Sequence, residues 1–285
     1  MANKKYQCRL KADRIPITDK IYVRIPTIGE ILDHEQIYYS ITYNLTSSPY
    51  QQMVRLDDMG IDYAEISEWE LFMQTMYSYS LSITQLKQQI KELYDALESD
   101  ETGKRIENHG KSIQNYIDDL EEMLEGFKLV FGDLEIEGFQ IVKDTELDEI
   151  MLYNPLTDVR IDRLTHLELT KAIRELNLYE HVKSKPANET AKKYLLEKER
   201  RKLKRAARKQ YEPYLEKLVV SLVNTQEFPY NYETCMDLSL YKFNQSFKQI
   251  QHKINFDNTM IGVYAGTVST KDMKDKSVLS WIQTK

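Results

Sequence analysis

Residue types capable of chemistry are plentiful in this chain but scattered. The five histidines, His34, His109, His166, His181 and His252, stand apart from one another, and neither Cys8 nor Cys235 has a Cys or His neighbour within a few residues. A metal centre needs such ligands clustered at helical or hairpin spacing, so no metal is expected. A phosphate cradle needs a glycine-rich loop opening a helix. No stretch reads GxxxxGKS/T or GxGxxG, and Gly262 and Gly266 in IGVYAGT are spaced by chance or by turn geometry. A serine hydrolase elbow, GxSxG, is missing as well. Carboxylate pairs occur at Asp57-Asp58, Asp118-Asp119 and Glu121-Glu122. They fall among polar positions of helical patterns, where a solvated face accounts for them without catalysis. The expectation is a protein that is not an enzyme and takes no cofactor.

One stretch does concentrate charge. Lys192–Lys209, KKYLLEKERRKLKRAARK, carries ten Lys or Arg against two Glu in a chain whose net charge is −6. Removing its +8 leaves the remainder at −14 (−6 minus +8). On a helix, Tyr194, Leu195, Leu196 and Leu203 leave the cations on one broad side, with Arg200, Arg201, Lys204 and Arg205 as its basic-face candidates. Three readings are open: a helix that pairs with the protein's own acidic groups or with water, a nucleic-acid contact, or a protein ligand. Phosphate binding usually rests on a whole basic domain, and single-strand binders interleave aromatic platforms of which only Tyr194 and Tyr211 are present here. Charge logic therefore favours acid pairing and disfavours nucleic acid.

The elements that must position these residues are mostly helical. The 285 residues suffice for one large core or two, and hydrophobic residues at 41% exclude a disordered chain. IYVRIPTI at 21–28 predicts a strand running into a turn. Ser48-Pro49 predicts a helix start with its stop at Gly60, and Ser67 with Glu70 forms a capping box. From about Ser82 to Phe127, Leu86, Ile90, Leu93 and Leu97 repeat at helical steps, as do Ile113, Tyr116, Leu120, Met123 and Phe127. With a polar break at Ser99–Gly103 this reads as a long helical hairpin. FQIV, IMLY and VRID predict a small antiparallel meander. The helical period then returns after Asp162, and SKPANE at 184–189 is a linker or helix start before the basic stretch. Leu240, Phe243, Phe247, Ile250 and Ile254 alternate steps of three and four, the spacing of a seam against partner helices. The predicted fold is mainly α (α+β): a helical bundle with a long hairpin and a β meander. Its expected segments are 1–81, 82–127, 128–183 and 184–285.

The opening MANKKYQCRLKADR has no apolar signal segment, no run approaches the length of a membrane span, and two distant cysteines fit reduced thiols. A cytoplasmic protein away from membranes is expected. Two surfaces are candidates for binding another protein: the Leu240–Ile254 seam, and the Met- and Tyr-rich MQTMYSYS with Met73 and Met76, whose adaptable side chains suit several partners. Both stripes also read as filling the chain's own core.

Several pieces carry a resemblance in order along the chain: IPTIGEIL (25–32), LTSSPYQQMVRLDDMGIDY (45–63), NETAKKYLLEKERRKLKR (188–205), LYKFNQSFKQIQHKINFDNTMIGVYAGTV (240–268) and SWI (280–282). Together they resemble a family of proteins encoded by tailed phages of Gram-positive bacteria, associated with the tail-morphogenesis genes. The resemblance implies a tail-assembly chaperone whose partner is a tape-measure-like helical client or a second copy of itself, held in the host cytoplasm. It leaves open a structural part of the virion, a minor tail or baseplate component. It supplies no catalytic residues.

Overall fold

A computed structural model describes residues 8–99, 113–144, 148–208, 212–271 and 273–282. In chain order the elements are β1 (Arg14–Pro16), β2 (Tyr22–Arg24), α1 (Ile28–Asp33), α2 (Glu35–Thr46), α3 (Met53–Asp58), α4 (Glu68–Ser99), α5 (Ile113–Phe131), β3 (Gln140–Lys143), β4 (Ile150–Asn154), β5 (Val159–Ile161), α6 (Arg163–Asn177), α7 (Glu189–Ala206), α8 (Tyr214–Val223), α9 (Tyr232–Met236) and α10 (Leu240–Tyr264). The protein is mainly helical, with two small antiparallel sheets.

The chain divides into two compact units that interleave along the sequence. The larger takes 14–24 and 34–212; the smaller takes 1–13, 25–33 and 213–285. This differs from the four consecutive segments expected, for two physical reasons. Helix α4 runs unbroken across the boundary placed at 81/82. Residues 26–28 are tied by backbone bonds to a segment more than two hundred residues later. The Ile28 amide donates to the Leu238 carbonyl (2.9 Å) and the Leu240 amide to the Pro26 carbonyl (2.7 Å).

In the larger unit, α2 packs against α4, α5 and α6. Its buried residues Tyr38, Ile41, Thr42 and Leu45 recur at three- and four-residue steps, so burial imposes a helix on a segment rich in β-branched and aromatic residues. The α4 start is the expected capping box: the Ser67 amide donates to Glu70 Oε2 (2.8 Å) and the Glu70 amide to Ser67 Oγ (3.2 Å). The start at Ser48 is displaced, and α3 begins only at Met53. The Ser48 hydroxyl is engaged by Val182, donating to its carbonyl (2.5 Å). Ser48 thus opens a turn and Gln52 takes the cap position.

The two long helices α4 and α5 pack along each other. Burial is complete at Ile83 and Phe127 and partial at Leu86, Ile90, Leu120 and Met123. Beyond Ser99, the expected break at Ser99–Gly103 lies outside the described residues. Gly132 ends α5 with φ 61°, and the Tyr22 ring lies where a Cβ would stand. The meander is antiparallel in the order β3-β4-β5, pairing Leu152 with both Ile141 and Ile161. Asp162 then caps α6, accepting from the Thr165 amide at 2.7 Å, and Leu178 in the left-handed region closes it.

In the smaller unit, α1 packs on α9 and α9 on α8. Leu215, Val219 and Leu222 of α8 are buried, and Phe228 meets Phe243 of α10 edge-on with ring centres 6.1 Å apart.

Candidate protein-binding surface

Helix α10 starts at Ser239, whose hydroxyl accepts from the Lys242 amide (3.5 Å). Its expected seam begins as core: Leu240 and Phe243 are fully buried, Phe247 is half-buried and Ile250 is 9% exposed. Beyond Ile250 the same stripe emerges. Ile254 is 41% exposed, Ile261 65% and Tyr264 83%. The spacing does not change along the helix; only the covering does. Ile261 and Tyr264 continue the three-and-four rhythm past Ile254, and sequence reading missed them because Asp257 interrupts the apolar run. That carboxylate accepts from Lys253 (2.8 Å).

The C-terminal segment packs against α10 but leaves this stripe bare. Gln249 Nε2 donates to the Trp281 carbonyl (2.6 Å), and His252 Nε2 lies 2.6 Å from the Ser280 carbonyl. At about 100° per residue, Gln249 and His252 face away from Ile254 and Ile261. The helix stops at Gly266, φ 72°, where the amides of Thr267 and Val268 both donate to the Gly262 carbonyl (2.9 and 3.1 Å). The glycine pair is therefore turn chemistry, as one of its two readings held.

The second apolar candidate lies elsewhere. Met73 (4% exposed) and Met76 (0%) are packed inside the larger unit. Of the two readings of MQTMYSYS, the core reading holds for both methionines, because buried side chains offer no surface to a client.

The basic helix α7 is capped by Asn188, whose side chain accepts from the Ala191 amide (2.8 Å). It docks through Leu196, which joins Met53, Val54, Leu56, Tyr63 and Leu71 in one apolar cluster. Cations flanking that contact meet acids of the larger unit. Arg200 reaches Asp57 and Asp58, each at 2.6 Å, and Lys192 reaches Asp62 at 2.5 Å. Their hydrogen bond holds the Asp62 carboxyl below, and the Lys192 amine above, the ordinary range. The Asp57-Asp58 pair is thus part of an acid-pairing edge rather than a purely solvated face. Arg201, Lys204 and Arg205 are exposed, with Arg201 bonded to Glu197 (3.0 Å). Of the four basic-face candidates, three face solvent and one faces inward.

An ionisable ring is buried in the larger unit. His166, 4% exposed, lies between Trp69 (5.3 Å) and Phe72 (4.6 Å). Burial lowers its pKa to about 4. Among the described residues no group of three or more His, Cys, Asp or Glu is placed to hold a metal, and no helix is long and apolar enough to cross a membrane.

Residues 206–284 match the model of the YomV second domain, a phage-associated family. The matched stretch takes in α8, α9, α10 and the C-terminal segment, and so includes the whole α10 stripe. No curated protein and no solved structure matches the chain. The similarity of residues 206–284 supports a phage protein and carries no activity with it.

Proposed function

We propose that this phage-associated protein works by binding another protein, and that the exposed half of α10 is where a helical client lies. The observation that carries this reading is the single stripe, largely buried from Leu240 to Ile250 and bare at Ile254, Ile261 and Tyr264. An amphipathic face of this kind takes a partner helix through anchors three and four residues apart. The finer reading is chaperone-like: the stripe shields the apolar helical surface of a tail client until assembly, and the acidic remainder of the chain keeps the pair soluble. The resemblance to tail-region phage proteins supports that direction; the match over 206–284 supports a phage protein and no more.

Co-expression with the product of the neighbouring tape-measure-like gene tests it. The chain should hold that client in the soluble fraction and co-purify with it. The variant Ile254→Ser/Ile261→Ser/Tyr264→Ser should lose both effects while keeping its helical circular dichroism. A client whose solubility is unchanged by the wild-type chain would remove the chaperone reading. A complex indifferent to the triple variant would remove the α10 site.

A further inference from the structure

The solvent side of α7 carries a feature that client binding does not use. At 3.6 residues per turn, Tyr194, Lys198, Arg201 and Arg205 fall in one outward row at steps of four, three and four, and Arg208 follows in the turn just past the helix end at Ala206. All five are exposed, Tyr194 at 65%. The acids that neutralise α7 sit elsewhere: Asp57, Asp58 and Asp62 engage the inward Arg200 and Lys192, and Glu199 engages Lys202. Among the described residues, Arg201 alone in the row has an acidic partner, Glu197, in a pair exposed at both ends (74% and 67%). Such a pair is weak and readily exchanged for a phosphate.

We infer that this row is a binding surface for the phosphate backbone of nucleic acid. Lys198 to Arg205 spans about 10 Å at the helical rise, with Arg208 in the turn just beyond, while a strand presents one phosphate per about 3.4 Å of axis. Four cations therefore meet about four phosphates without bending the helix. Three of the four are arginines, whose planar fork pairs with two phosphate oxygens at once. Tyr194 at the end of the row offers a ring face to a base. An acidic protein is the poorer fit. The centre of a protein interface rests on buried aromatic and aliphatic anchors, and Tyr194 is the sole aromatic in this row. The objection that an isolated basic helix is surrounded by acid loses force, because the neighbouring carboxylates Asp57, Asp58 and Asp62 are bound on the inward edge and the exposed Glu197 offsets only one of the row's cations.

The test is fluorescence anisotropy with a labelled 20-nucleotide single strand and the matching duplex, using the full chain between 50 and 200 mM salt. Binding to either is expected, with a log–log salt slope of about −3 to −4, from four phosphate contacts. Lys198→Ala/Arg201→Ala/Arg205→Ala should reduce the slope to about −1 and weaken binding at least tenfold. Lys128→Ala/Lys143→Ala/Lys171→Ala, equal in charge but on other elements, should change affinity less than twofold. Equal losses in the two triples would mean net charge and overturn the site, as would a flat salt response. Poly-L-glutamate competing as well as an oligonucleotide of equal charge would reassign the surface to acidic proteins. The α10 variant should bind nucleic acid normally, so failure here and failure of the client reading are separable.

Discussion

His166 makes the larger unit acid-sensitive, because burial holds its ring neutral. Its ring is flanked by Trp69 and Phe72, and its buried Nδ1 has no hydrogen-bond partner among the described residues. Burial is the main cause of its lowered pKa; Arg174, Arg163 and Lys183 push the same way, and Glu68 opposes them. In the unfolded chain the imidazole titrates near 6.5, whereas in the fold it resists protonation down to about 4. The native state is thus favoured by a neutral ring, fully above pH 6.5. As the pH falls from there to 4, the unfolded state gains a proton that the folded state refuses. At about 1.36 kcal/mol per pH unit between the two values, roughly 3 kcal/mol of stability is lost. For a unit of this size that corresponds to roughly 6–12 °C in Tm. His181, also lowered by burial, adds to the loss. The assay is thermal unfolding followed by circular dichroism from pH 7.5 to 4.5, comparing the wild type with His166→Phe. The variant need not be as stable at pH 7.5; its curve should be flatter between pH 6.5 and 5, above the main carboxylate range. Parallel curves for the two proteins would refute the argument.

Further outcomes follow from the packing. Leu196→Ala, which empties a site in the cluster of Met53, Leu56, Tyr63 and Leu71, should destabilise by about 2–4 kcal/mol in urea titration. Arg200→Ala, at a partly exposed ion pair, should cost clearly less in the same titration, because apolar contact and not charge docks α7. Gly132→Ala forces an unfavourable φ and drives a methyl into the Tyr22 ring. It should lower Tm measurably, with partial recovery when Tyr22 becomes Ala. A chaperone-like role further predicts that mass spectrometry of purified virions finds little of this protein, whereas a structural component would be abundant.

Local signals in the sequence were the readable ones. The Ser67–Glu70 box, the meander and the α10 rhythm depend on neighbours a few residues apart, and each is present as expected. Helices α1 and α2 were not foreseen. IYYSITYN favours strand by propensity, and only the burial of Tyr38, Ile41 and Leu45 decides for helix. Long-range pairings were equally hidden. Arg200 meets Asp57 across 143 positions, and no local pattern announces which acids a basic helix will choose. Whether a stripe is core or surface was also beyond the sequence. Met73 and Ile261 both sit on regular apolar stripes, yet one is buried and the other is 65% exposed. The bare end of α10 became visible only once its neighbours were placed.

The proposed function requires Ile254, Ile261 and Tyr264 to form the contact with a helical protein. Full burial of such a side chain is worth about 1.5–3 kcal/mol; with roughly half or more of each side chain bare, the three together supply about 3 kcal/mol. That amounts to about 100-fold in affinity. Calorimetric titration of the tape-measure-like client into wild type and into the triple serine variant measures it directly. A Kd weakened about 100-fold, with unfolding temperature preserved, is the predicted result; equal Kd values for the two proteins would contradict it.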